Sequence, residues 1–194
     1  MKKIILASGS PRRKLLLQQM GLDFISSPAN ITEDLSVPAS PQELAQNIAF
    51  QKAQEVSRCL NEGIIIAADT VVVWEGTVMG KPENRDEAYL MLSRLSGQCH
   101  QVITGLCVMD AKDNVAELAA ESTDVFFRPI SPGEINNYLD CGEWWDKAGA
   151  YAIQGKGALM VDHIKGCYFN VVGLPLSRLN LMLRKQGVDI LGEN

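Results

Sequence analysis

A chain of 194 residues is long enough for one domain with a substantial core. Its composition, 46% hydrophobic and 21% charged, is that of a globular protein, and no apolar run approaches the ~20 residues of a membrane span. A net charge of −5 speaks against broad nucleic-acid binding and leaves room for a local basic pocket. In chain order, residues 2–7 read as a buried strand. This apolar stretch breaks at Ser8-Gly9-Ser10, too early for the hydrophobic region of a signal peptide, so a cytoplasmic location is expected. Ser10 as N-cap, Pro11 at the first helical position and Gly21 as terminator predict a helix. A short strand is expected over 23–27. Ser40-Pro41-Gln42-Glu43 is a capping box that opens a long helix to about residue 60.

The β-branched run over 64–73 predicts a buried strand, turned back by Glu75-Gly76 into 77–79. Residues 84–95 read as a helix stopped by Gly97. Strands are expected over 101–109 and 115–127, joined by the polar turn 111–114. A second capping box, Ser131-Pro132-Gly133-Glu134, opens another helix. Residues 158–164 and 167–172 read as strands flanking the hairpin signal Lys165-Gly166, and 175–186 as a final amphipathic helix. Helices mixed with frequent hairpins favour an α/β fold with a mixed β-sheet and flanking helices in a single domain, 1–194.

Ser8-Gly9-Ser10-Pro11-Arg12-Arg13 is the first stretch with chemistry in it. A helix N-terminus offers unpaired N–H groups, glycine leaves its backbone bare, and arginine matches phosphate oxygens with a planar fork. The alternative is a capped surface helix with solvated arginines, and residue types alone leave the two open. Asp69 sits inside a buried strand, where a carboxylate needs a cation, a metal or hydrogen-bond donors. Lys52 edges the apolar stripe of its helix, either snorkelling to solvent or aimed into a cleft. Lys81 lies between Gly80 and Pro82, and Glu33-Asp34 follows a predicted strand; either is ordinary on a surface. As a set, two arginines, one or two acids and two lysines make the inventory for a polyphosphate with a divalent ion. The five cysteines, at 59, 99, 107, 141 and 167, lack C-x-x-C spacing and are expected to be reduced thiols. With His100 and His163 alone, no histidine-rich metal site is expected.

Seven motifs then align in order: S-G-S-P-R-R (8–13), Q-K-A (51–53), A-D-T-V-V (68–72), G-K-P (80–82), L-S-G-Q-C-H-Q-V (95–102), D-K-A-G-A-Y-A-I-Q-G (146–155) and V-V-G-L-P-L (171–176). By these the chain resembles the Maf family of nucleoside triphosphate pyrophosphatases. The resemblance implies an elongated, ITPase-like mixed sheet with two lobes around a deep cleft. It also implies a cytoplasmic homodimer, a divalent cation (Mg²⁺ or Mn²⁺), and hydrolysis between the α and β phosphates. The family is connected with removal of non-standard nucleotides and with arrest of cell division. Carried over by position, Asp69 becomes the proton acceptor or a metal ligand, with Glu33 a second ligand. Arg13, Lys52 and Lys81, with the backbone at Ser8, Gly9 and Ser10, become the triphosphate site.

Subgroups of the family separate at three positions, occupied here by Arg12, Thr70 and Gln154. A sister group that prefers 7-methyl-GTP resembles this one with Trp, Gln and Glu there. Glutamine offers both a donor and an acceptor, which suits the O4 and N3–H edge of uracil or thymine. The resemblance therefore implies the dTTP/UTP subgroup. The rival readings are the 7-methyl-GTP type, a modified-pyrimidine substrate, and a nucleotide-binding regulator without turnover. One local departure is Glu143-Trp144-Trp145, where the family has a proline-containing acidic turn. The two tryptophans are expected to be partly buried, in preference to lining a dimer interface or the base pocket.

Overall fold

A computed structural model describes residues 2–32 and 38–192. The elements, in order, are β1 (Ile4–Leu6), α1 (Pro11–Gln19), β2 (Phe24–Ser26), α2 (Pro41–Ser57), β3 (Ile64–Trp74), β4 (Thr77–Met79), α3 (Arg85–Leu95), β5 (Cys99–Asp110), β6 (Val115–Phe127), α4 (Pro132–Asp140), β7 (Val161–Lys165), α5 (Tyr168–Val172) and α6 (Leu176–Lys185). Two 3₁₀ segments, Ala148–Ala150 and Gly155–Met160, precede β7. Seven strands form one sheet in the order β2-β1-β3-β5-β6-β7, with β4 also paired to β3. The sheet is mixed: β1 runs parallel to β2 and β3, while the β3–β4 and β6–β7 pairs are antiparallel. The mixed α/β class read from the sequence is the observed one. Among the described residues, no helix is long and apolar enough to cross a membrane.

The chain divides into two compact units. The first comprises Met1–Asp69, Thr104–Glu121 and Gly173–Asn194. Its core sets Ala49, Ala53 and Val56 of α2 against Ile5, Ile65, Ala67, Cys107 and Met109 of the strands. Residues 64–69 of β3 are buried on both faces, which is why they read as a continuous apolar run rather than an alternating one. The α2 backbone comes down directly on β5 at Gly105, where a Cβ would collide with the Ala45 carbonyl and the Gln46 amide. The capping box at Ser40 is complete: Glu43 N–H donates to Ser40 Oγ, and the Glu43 carboxylate accepts the Ser40 N–H.

The second unit comprises Thr70–Ile103 and Ser122–Val172. Its core joins Ala88, Met91, Leu92 and Leu95 of α3 to Ile135, Tyr138 and Leu139 of α4, and both to Val72, Val102, Val125 and Phe127. The capping box at Ser131 is also complete. Two expectations for this unit need correction. Residues 158–164 are divided between the second 3₁₀ segment and β7, which starts only at Val161. Residues 167–172 are not a strand: they turn into α5, although tyrosine, phenylalanine and two valines favour β structure. The long-range contact that overrides this propensity is made by Asn170. Fully buried, its Nδ2 donates to the Val102 carbonyl (2.8 Å) and to Thr123 Oγ1 (2.9 Å). Thr123 in turn exchanges hydrogen bonds with both the N–H and the carbonyl of Cys167. Four hydrogen bonds thereby satisfy five polar groups, and a strand would break that set.

Candidate active site

In the first unit, β1 ends at Leu6, level with Ile66 of β3. One more ladder bond, Ala7 N–H to the Ile66 carbonyl (2.8 Å), carries the chain to the turn. Ser8 is buried, and its Oγ accepts from the Ser10 N–H (3.2 Å) and from Arg13 Nη1 (3.3 Å). Its carbonyl accepts from Ser26 Oγ of β2 (3.2 Å). The turn is therefore braced from within by Ser8. Ser10 holds the N-cap position of α1, with Pro11 next, but its side chain makes no capping bond, contrary to expectation. Gly9 lies outside the left-handed region, and an added Cβ would meet only the Pro28 side chain at 3.8 Å. Neither the backbone nor internal packing requires a glycine there. Arg13 is anchored a second time, from Nε to the Gly173 carbonyl (2.8 Å), and Arg12 beside it is half-buried.

Asp69 lies three residues beyond Ile66, at the same carboxyl end of the parallel strands where β1 turns into Ser8. Ligands of open α/β sheets commonly bind outside the carboxyl ends of such strands. Lys52 of α2 reaches Asp69 Oδ1 at 2.7 Å, with side chains only 12% and 9% exposed. The cation that a buried Asp69 demands is thus the lysine whose direction the sequence left open. Removing one partner of such a pair leaves the other charge stranded, at a cost of about 3–5 kcal/mol.

In the second unit, Lys81 forms an ion pair with Asp146 (2.7 Å). Both side chains are more than half exposed, so the pair is worth at most about 1 kcal/mol and can give way to a ligand. Gly149 N–H donates to the Gly80 carbonyl (3.1 Å), which ties the segment after Asp146 to the loop that carries Lys81. Thr70 is half-buried at the start of this unit's part of β3, and Gln154 is exposed just before the second 3₁₀ segment. Three residues before Gln154, the Tyr151 hydroxyl meets Nε2 of buried His100 at 2.7 Å. Burial holds the His100 pKa down to about 4. Trp144 is partly buried on the core, its Nε1 donating to the Leu139 carbonyl (2.9 Å), as expected. Trp145 packs edge-to-face on it but is 59% exposed, so the partial burial expected of both tryptophans holds for Trp144 alone of the two.

Sequence reasoning gave no role to Gly105, Asp146, Gly173 or Glu143. Gly173 lay in a quoted motif, yet its part, a carbonyl for Arg13, depends on a contact 160 residues away. Glu33 and Asp34 lie outside the described residues. Among the described residues, no three His, Cys, Asp or Glu side chains converge as a metal cage. Magnesium-type ions in phosphate chemistry take one or two carboxylates and complete their shell with phosphate and water, so Asp69 alone remains a fitting donor.

A profile described as Maf-like protein matches residues 3–186. The chain belongs to the Maf family. Among its relatives, the dTTP/UTP pyrophosphatase of Syntrophomonas wolfei is 48% identical over 186 residues, 96% of this chain and 98% of that one. The dTTP/UTP pyrophosphatase of Carboxydothermus hydrogenoformans is 49% identical over 185 residues, 95% and 99% of the two chains. The solved Staphylococcus aureus Ham1 protein shares the fold, with a TM-score of 0.53 at 13% identity over 95% of this Maf chain and 100% of its own.

Proposed function

We propose that this Maf protein is a nucleoside triphosphate pyrophosphatase acting on dTTP and UTP, releasing the nucleoside monophosphate and pyrophosphate. The supporting observation is the buried Lys52–Asp69 pair at the same sheet end as the braced Ser8–Arg13 turn. The names of near-full-length relatives support the choice of nucleotide. The bare face of Gly9 suits close approach of a phosphate, and Arg13 is held with its guanidinium already oriented. Asp69 orients the attacking water and accepts its proton, and Lys52, paired with that carboxylate, stabilises phosphate charge. Lys81 neutralises a further phosphate, releasing Asp146 as it does so. Gln154, with Thr70 and Arg12, reads the base. A divalent cation, Mg²⁺ or Mn²⁺, held by Asp69 and in this reading Glu33, would supply neutralisation of the phosphate oxygens. The span 1–194 acts as one pyrophosphatase domain, a cytoplasmic homodimer by the family resemblance.

The test is pyrophosphate release from dTTP, UTP, dCTP, ATP and 7-methyl-GTP, with Mg²⁺, with Mn²⁺ and with chelator. Metal-dependent release confined to dTTP and UTP is expected. Preference for 7-methyl-GTP would overturn the base assignment alone, and no release from any nucleotide would overturn the enzyme.

A further inference from the structure

We propose that Glu143 is the positioning residue for Gln154, and through it for selection of the pyrimidine. The proposal rests on Gln154 as the base-reading residue. Glu143 is half-buried, and its Oε2 accepts the backbone N–H of Lys156 at 2.9 Å. Gly155, between Lys156 and Gln154, has φ +68. A Cβ on it would stand 2.8 Å from Oε2 and 2.9 Å from Oε1 of Glu143. The left-handed backbone at residue 155 favours glycine, and a side chain there would have to displace the carboxylate laid against it. The carboxylate closes on the chain itself: one oxygen is engaged by an amide and both abut Gly155. It is not placed to read a base; it fixes the backbone next to the residue that does.

The other side of Gln154 is fixed as well. Tyr151 is buried, with its hydroxyl on His100 Nε2, and Gly157 packs so closely that a Cβ there would collide with the Ala152 carbonyl. Gln154, in extended conformation (φ −94, ψ 162), is exposed within this clamped stretch, as is Lys156, whose backbone N–H is the group held by Glu143. An amide that must present its oxygen and nitrogen to the correct edge of a base gains selectivity from such a fixed origin. The carboxylate makes the clamp a charge-assisted hydrogen bond, stronger than a neutral one.

The experiment compares KM, kcat and melting temperature for the wild type, Glu143→Ala, Glu143→Gln, Gln154→Ala and the double Ala variant, using dTTP, UTP and dCTP. Glu143→Ala is expected to raise KM for dTTP and UTP by roughly tenfold or more, the usual scale for losing an outer partner of a binding group. The loss falls on KM rather than kcat, and discrimination against dCTP narrows. Glu143→Gln, which keeps an acceptor oxygen for the Lys156 N–H, restores most of it. The double variant discriminates no worse than Gln154→Ala alone, because the two act as one unit. If Glu143→Ala fails to fold, Glu143→Asp, one methylene shorter, gives the same readout. An unchanged dTTP-to-dCTP ratio in a Glu143 variant, whatever its melting temperature, overturns the inference while leaving the pyrophosphatase intact. An unchanged ratio in Gln154→Ala overturns the base-reading role, and this proposal with it.

Discussion

At the scale of single residues, charge in low-dielectric surroundings decides the expected behaviour. Asp69→Asn keeps an oxygen for Lys52 and should fold, yet it loses the base. Turnover is expected to fall by about 10²–10⁴ while nucleotide binding persists. Pyrophosphate release beside equilibrium binding checks this, and near-normal turnover would remove Asp69 from the chemistry. Lys52→Met instead strands the carboxylate, and should lower stability by about 3–5 kcal/mol in chemical denaturation, with activity lost as well. His100 gives a pH dependence with a definite sign. Its folded pKa, about 4, lies below the ordinary 6.5, so between these values the unfolded chain binds a proton that the folded one does not. The contribution is complete above about pH 6.5 and drains away toward pH 4, amounting to about 3 kcal/mol. The denaturation midpoints at pH 7.5 and 5 should lie further apart in wild type than in His100→Gln; an equal separation would clear the histidine of responsibility.

At the scale of elements, what was legible in the sequence is what local chemistry determines. Both Ser-Pro-x-Glu boxes fold as their spacing requires, since donor and acceptor lie three residues apart. The strand 64–73 was legible for a similar reason, because β-branched residues in a run leave few alternatives, and 115–127 was marked off by the polar turn 111–114 before it. The helix α5 was not, because it depends on Asn170 reaching Val102, 68 residues back. Arg13, Lys52, Asp69 and Lys81 stood out by type and motif, but the group each would meet did not. Gly173, Lys52 and Asp146 are brought to them by tertiary structure alone. Gly105 shows what such an invisible contact controls. With no Cβ it lets α2 settle on β5, and α2 carries Lys52. Gly105→Ala is expected to cost about 1–3 kcal/mol through overpacking and to lower activity by lifting Lys52 from Asp69. A destabilised but fully active variant would separate helix seating from the ion pair. Ser40→Ala, which removes only the cap of the same helix, should cost about 1 kcal/mol and leave turnover alone.

For the molecule as a whole, the thiols divide by burial. No disulfide joins the five cysteines. Cys59 and Cys99 are exposed, whereas Cys107 is buried and its pKa is pushed up to about 12. A thiol reagent at pH 8 should modify Cys59 and Cys99 in the native protein and reach Cys107 only in denaturant. A melting temperature that falls on addition of reductant would contradict the absence of a cross-link. The two compact units carry a different consequence, which concerns time. Neither is a continuous stretch: the first is opened by residues up to Asp69 and closed only by the segment that starts at Gly173. At synthesis rates of about 5–20 residues per second, that closing segment leaves the ribosome roughly 5–20 seconds after Asp69 does. Throughout that interval Arg13 lacks the Gly173 carbonyl that anchors its guanidinium, so the Ser8–Arg13 turn acquires its second brace only when the last segment has been made.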